Sequence, residues 1–238
     1  MTMKNKLHIF ENPQQTAKAV AEILSEEINQ KNDFFYLAVS GGNTPKILFE
    51  ILVDKYSDKI HWNKLKLFWV DERCVSPNDK ESNFGMTCNA LLKNVAIPSE
   101  NIFRIKGENI PQNEAFDYQH TLKENVPMEN NLPKFDLMLL GMGDDGHTAS
   151  IFSDNLSLLN VSETVAVAKH PVSGQKRITL TGNIIKNSNR IFFLIARKSK
   201  KEVLSQIIKN EKKAENYPSY HILKTTDAEI FADKNVVE

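Results

Sequence analysis

Five of the six residues from 135 to 140 are apolar, and the run then stops at Gly141-Met-Gly-Asp-Asp-Gly-His147. An apolar stretch of that length reads as a strand covered on both faces, as in a parallel sheet. A buried strand that gives out into glycines, two aspartates and a histidine marks the carboxyl edge of such a sheet. Open α/β folds keep their sites along that edge. The junction requires the rest of the chain to supply further parallel strands and the helices that cover them.

The flanking sequence does so in order. Residues 7–10 are a short strand candidate. Asn12 and Pro13 read as N-cap and first helical position, and Ala17, Val20, Ala21, Leu24 and Ile28 predict a helix to about Gln30. Residues 34–39 form the next strand, broken at Ser40-Gly41-Gly42-Asn43. A helix starts at Thr44-Pro45, with Ile47, Leu48, Ile51 and Leu52 as its buried stripe. A strand at 65–70 ends in Asp71-Glu72-Arg73. After a polar loop at 76–81, Ser82 caps a helix packed through Phe84, Met86, Leu91 and Leu92. A strand at 102–103, a helix at 112–125 and a surface loop at 126–134 lead to the central strand. Strands at 165–168, 178–180 and 191–196 follow, then a helix at 199–210. His221 to Leu223 reads as a last strand, with Thr226 capping a short closing helix. The alternation predicts an α/β fold: a doubly wound, mostly parallel, Rossmann-like sheet with helices on both faces, in one domain over 1–238.

Composition narrows the partners. Thirty basic residues balance thirty acidic ones, so there is no bulk charge for nucleic acid or an anionic membrane, and anion binding must be local. Cys74 and Cys88 form neither a CxxC nor a zinc spacing and read as free thiols of a reducing compartment. The N-terminus lacks the apolar core of a signal peptide, and no apolar run approaches the ~20 residues of a membrane span. A cytoplasmic protein acting on a small molecule, monomeric or a weak homo-oligomer, is expected.

Four stretches carry chemistry. Ser40, Gly41, Gly42, Asn43 and Thr44 lie between a strand and a helix start, where free N–H groups and the helix dipole favour an anion. GxxxxGK[ST] is absent, which points to the phosphate of a small substrate rather than a nucleoside triphosphate. At the same edge Arg73 offers a fork of donors and Asp71 an acceptor, unless Glu72 and Arg73 merely form a surface pair. Residues 141–146 match GxGxxG, but Asp144 and Asp145 would meet a pyrophosphate with negative charge, and no ribose-binding acid follows at the required distance. His147 is the candidate base, since an imidazole exchanges a proton near neutrality (ordinary pKa ~6.5) and Asp144 or Asp145 could fix its tautomer. These residues make a poor metal site, because no second histidine-rich cluster accompanies them. Lys176, Arg177 and the basic run 197–201 could close over the same anion.

Together SGGNTP (40–45), VDERCV (70–75) with SNFGM (82–86), LGMGDDGHTASIF (140–152) and RITLT (177–181) resemble the 6-phosphogluconolactonase family, within the glucosamine-6-phosphate isomerase/deaminase-like superfamily. The resemblance implies hydrolysis of 6-phospho-D-glucono-1,5-lactone in the oxidative pentose phosphate pathway, without a cofactor. It implies His147 as the general base activating water, and the Ser40–Thr44 loop, Arg177 and Lys200 as the phosphate holders. Arg73 would help bind substrate, with Asp71 and Asp145 shaping the site. Arg197 stands where the family usually has a small residue or glycine. The competing readings are a glucosamine-6-phosphate isomerase/deaminase and a non-catalytic sugar-phosphate sensor. Against the first, Thr148 to Ser153 lacks the acid that typically follows the histidine in those relatives. Against the second, no segment is left over for a DNA-binding unit.

Overall fold

In the computed structural model, which describes residues 6–237, the chain opens with β1 (Leu7–Phe10) and α1 (Pro13–Gln30). The Asn12 side chain accepts a hydrogen bond from the Gln15 amide at 2.9 Å, and Pro13 fills a position whose N–H would have no helical partner. Next come β2 (Phe35–Val39), α2 (Asn43–Tyr56), β3 (Leu65–Trp69), β4 (Asp71–Arg73), α3 (Asn83–Ala90), β5 (Ile102–Phe103) and α4 (Pro111–Asn125). A small hairpin, β6 (Met128–Glu129) with β7 (Leu132–Pro133), precedes β8 (Leu137–Leu140). The chain finishes with β9 (Val165–Lys169), β10 (Lys176–Leu180), α5 (Gly182–Lys186), β11 (Arg190–Ile195), α6 (Lys201–Ile208), α7 (Pro218–Thr225), β12 (Glu229–Asp233) and α8 (Lys234–Val237).

Seven strands form one sheet in the order β1-β12-β11-β8-β2-β3-β5, and every pairing in it is parallel. All of β8 is buried, as is β11 from Ile191 onward, because both faces of the sheet are covered. From β2 the chain winds outward through β3 to β5. It then returns to β8 on the other side of β2 and winds the opposite way through β11 and β12. The winding direction therefore reverses between the neighbours β2 and β8, and the crevice outside their carboxyl ends is where a sheet of this kind binds ligand. Residues 40–42, 141–147 and 196–200 all emerge there.

Three expectations need correction. The strands at 165–168 and 178–180 do not extend the main sheet. With β4 they make a separate antiparallel sheet, β4-β10-β9, so Asp71 to Arg73 is a paired strand of its own rather than the end of the strand at 65–70. The two sheets join where the Leu180 amide donates to the Val70 carbonyl at 2.8 Å. His221 to Leu223 is not a strand. It lies inside α7, which Pro218 starts and which buries Tyr220, Ile222 and Leu223. Thr226 follows the end of that helix, its hydroxyl donating to the Ile222 carbonyl at 2.7 Å, and does not cap a later one. The last strand is β12, inserted between β1 and β11. The N-terminal stretch read for a leader begins in residues 1–5, which lie outside the described residues. No helix among the described residues is long and apolar enough to cross a membrane.

Candidate active site

His147 Nδ1 lies 2.5 Å from Asp145 Oδ1, and the same carboxylate oxygen accepts from the His147 amide at 3.2 Å. With Asp145 ionised, the proton sits on Nδ1, leaving Nε2 as the nitrogen able to take a proton. The loop that holds the pair is closed by backbone bonds. The Gly143 amide donates to the His147 carbonyl at 2.8 Å, and the Thr148 hydroxyl donates to the Gly141 carbonyl at 2.8 Å. The Gly146 carbonyl accepts from both the amide and the hydroxyl of Ser219, at 3.1 and 2.8 Å, which pins the loop to α7. Gly143 is required by close approach, since a Cβ there would run into the His147 ring and the Asp145 carboxylate.

Partial burial would raise the Asp145 carboxyl, but the hydrogen bond to the His147 ring and the charge of that ring outweigh it and hold the group at about 2. The sign follows. A carboxylate whose folded value lies below its ordinary 3.8 stabilises the fold above that value and loses the contribution as pH falls toward about 2. The difference in melting temperature between wild type and Asp145→Asn should therefore close as pH falls from 3.8 toward about 2, as followed by circular dichroism. The side chain is 52% exposed, so screening keeps the difference small. A difference that widens toward pH 2 would contradict the pairing.

Of the residues singled out in the sequence, Ser40, Gly41, Gly42, Asn43, Thr44, Asp71, Arg73, His147, Arg177 and Lys200 all line one cavity of about 310 Å³, and Asp145 stands behind His147. A larger hollow of about 790 Å³ between α2 and α3 contains none of them. Gly42 has φ +103°, a turn that glycine makes at no steric cost, and no side chain caps the start of α2, leaving its first amides for a ligand. The Ser40 hydroxyl is buried without a hydrogen-bond partner among the described residues.

Strand alternation gathers the charged groups. Across β4 and β10, Arg177 stands opposite Arg73 and Thr179 opposite Asp71, so these four share one face. Glu72 falls on the other face and is buried. Its carboxylate accepts from the amides of Arg73, Asn83 and Phe84 and from the Ser82 hydroxyl, at 2.7 to 3.0 Å. Burial raises its pKa even though those amides pull it down. The surface pair considered for Glu72 and Arg73 does not form. Arg177 is 9% exposed, its Nε has no hydrogen-bond partner among the described residues, and its guanidinium lies 5.6 Å from the Phe152 ring centroid. Burial lowers its pKa against the pull of Asp71. Arg73 Nε is likewise buried and, among the described residues, unpartnered, while its Nη1 donates to the Glu81 carbonyl.

The structure separates the two aspartates. Asp144 accepts from the Ser199 hydroxyl at 3.0 Å and ties the histidine loop to the basic turn after β11, whereas Asp145 faces the imidazole. In that turn burial pulls Lys200 below the ordinary lysine range, Asp144 opposes the shift and Arg197 adds to it. Arg197 also lines the cavity, with φ +86°, a conformation that costs a non-glycine residue of order 1–3 kcal/mol.

Sequence reasoning missed three contributors. Ser150 donates to Asp71 at 2.6 Å, and Asn83 Nδ2 donates to the Asp71 carbonyl at 2.8 Å and reaches its carboxylate at 3.3 Å, so the carboxylate is held from two elements. Phe152 lies 4.8 Å from His147 and 5.1 Å from His170, centroid to centroid. Small polar residues inside motifs were the only signal for Ser150 and Asn83. Among the described residues no cluster of three or more His, Cys, Asp or Glu side chains is arranged to hold a metal ion. The cavity gathers cations and donors, a lining suited to an anionic ligand.

Fold and site together define a parallel α/β protein whose sheet edge carries a crevice lined by Arg73, Arg177, Arg197 and Lys200 beside a carboxylate–imidazole pair. Comparison with known proteins makes the class specific. The family model described as "Glucosamine-6-phosphate isomerases/6-phosphogluconolactonase" matches residues 11–231, and the chain belongs to that family. It is 37% identical to the 6-phosphogluconolactonase of Treponema pallidum over 85% of this chain and 83% of that one. It is also 37% identical to the 6-phosphogluconolactonase of Haemophilus influenzae, over 93% and 96%. The crystal structure of 6-phosphogluconolactonase from Leishmania guyanensis superposes with a TM-score of 0.85 at 28% identity, covering 98% of this chain and 97% of that one.

Proposed function

We propose that this chain is a 6-phosphogluconolactonase, hydrolysing 6-phospho-D-glucono-1,5-lactone to 6-phospho-D-gluconate in the oxidative pentose phosphate pathway, with water activated by His147. One observation carries the reading: the buried Arg177 guanidinium, without a hydrogen-bond partner among the described residues, shares a cavity with an imidazole whose far nitrogen is fixed by a carboxylate. The first is what a sugar phosphate needs, the second what a hydrolysis needs.

A lactone is an activated ester, so an activated water attacks it without a covalent enzyme intermediate. The water oxygen bonds to the ring carbonyl carbon while its proton passes to His147 Nε2. Asp145 steadies the imidazolium that results. Arg73 or an amide of the glycine turn stabilises the oxyanion. As the carbonyl re-forms, the bond from carbon to the ring oxygen breaks, and that oxygen takes the proton back from the imidazolium. The new carboxylic acid then ionises, releasing one proton per turnover. The Ser40–Thr44 loop, Arg177 and Lys200 hold the phosphate far from the reacting carbon, which orients the ring. In this reading the enzyme works in the cytoplasm on a small molecule, without nucleic acid, as a monomer or weak homo-oligomer.

The test is proton release from freshly made 6-phosphogluconolactone, corrected for spontaneous hydrolysis. Release above background supports the proposal. Ammonia release from glucosamine 6-phosphate, or binding without turnover, would replace it with the deaminase or the sensor. Arg177→Ala should raise KM by roughly 10–100-fold, the worth of a charge-assisted anchor, with a smaller change in kcat. A loss confined to kcat would remove Arg177 from the phosphate site.

A further inference from the structure

Among the described residues five non-glycines have positive φ: Asn130, Asn131, Ala149, Arg197 and Asn210. Three are asparagines, a type that tolerates this region. The other two both line the candidate active site. Arg197 is the more demanding, because φ +86° with ψ 135° falls outside the left-handed helical basin that single residues visit. Backbone of this kind persists where surrounding structure enforces it, and it gathers at ligand-binding sites.

The Arg197 side chain is exposed, and its guanidinium makes no hydrogen bond or ion pair among the described residues. It adds a second positive charge beside Lys200, which burial already disfavours as an ammonium and which only Asp144 supports. Two cations kept together against their repulsion suit an anion of more than one charge. A phosphate monoester is that anion, carrying about −1.5 to −2 at pH 7 with oxygens that accept a guanidinium fork.

We infer that Arg197 is a substrate-contacting residue which, with Lys200, holds the dianionic phosphate and makes the site selective for a phosphorylated over an unphosphorylated lactone. The inference deepens the lactonase reading and rests on it. The contact accounts for an arginine at a position where glycine would fit without strain.

Arg197→Gly removes the charge and frees the backbone. KM for 6-phosphogluconolactone should rise about tenfold, and inorganic phosphate should inhibit about tenfold more weakly. KM for unphosphorylated glucono-1,5-lactone should stay at the wild-type value, and the melting temperature should hold or rise. Arg197→Lys should recover part of the phosphate affinity. An unchanged KM for the phosphorylated lactone in folded Arg197→Gly overturns the inference, as does an equal loss on both lactones. If the wild type hydrolyses neither lactone, the lactonase reading fails by itself. Calorimetric titration of wild type and Arg197→Gly with inorganic phosphate then decides separately whether Arg197 binds the anion: weaker binding by the variant supports it, equal binding overturns it.

Discussion

Replacing His147 by alanine should lower kcat for lactone hydrolysis by ~10²–10⁴-fold, the usual contribution of a general base. The melting temperature should stay within about 2 °C of wild type, as for a substitution that breaks no buried network. The separation of the two effects is built into the loop. The hydrogen bonds that shape residues 141–148 run through backbone groups of Gly141, Gly143, Gly146 and His147, all of which an alanine at 147 preserves. The imidazole itself is 26% exposed and, among the described residues, hydrogen-bonds only Asp145. A His147→Gln variant keeps a polar group of similar reach but cannot accept a proton at neutral pH, and it should be as slow as the alanine. The two variants should bind inorganic phosphate as the wild type does, because the cations that hold it lie on other elements. Wild-type turnover in either variant would remove His147 from the mechanism. A collapse in melting temperature would instead show that the ring holds the loop together.

The sheet edge was legible because two periodicities agreed at it. A continuous apolar run needs cover on both faces, and a glycine-rich break needs close approach, so β8 and its loop could be read together. The same logic located the turn after β2, where Gly42 adopts the positive φ that such a turn uses. Residues 71–73 show where the reading ran out. Asp-Glu-Arg contains no apolar residue, so nothing in its pattern announced a strand, yet it pairs with β10 and the alternation sends Glu72 one way and Asp71 and Arg73 the other. The end of the chain failed for a different reason. Ile222 and Leu223 make a short apolar run whose period cannot tell a strand from a buried helix turn, but Pro218 sets a helical start and tertiary burial of Tyr220, Ile222 and Leu223 decides the conformation. The roles of Asp144 and Asp145 could not be separated by spacing, because the partner that distinguishes them, Ser199, is 55 residues away.

Glu72 supplies the largest expected stability effect. It is 2% exposed, and its two carboxylate oxygens accept four donors from β4 and the start of α3. Glu72→Ala strands those donors away from water. Each buried unsatisfied group costs about 1–3 kcal/mol, part of which is returned because burying the carboxylate is itself unfavourable, so a net loss of about 2–4 kcal/mol is expected. In a chain of this size that lowers the melting temperature by roughly 4–16 °C. Activity should fall as well, because Asn83, which holds Asp71, is anchored through its amide to Glu72. Glu72→Gln keeps the shape and one acceptor oxygen but removes the ionisable group, and it should lose part of the same stability. The pH dependence has a definite sign. The folded pKa of Glu72 lies above its ordinary 4.5, so its contribution is greatest below that value and declines as pH rises through the folded one. The gap in stability between wild type and Glu72→Gln should therefore be wider at pH 4 than at pH 8. A gap that instead grows with pH would mean that the four donors, and not burial, set the ionisation of this carboxylate.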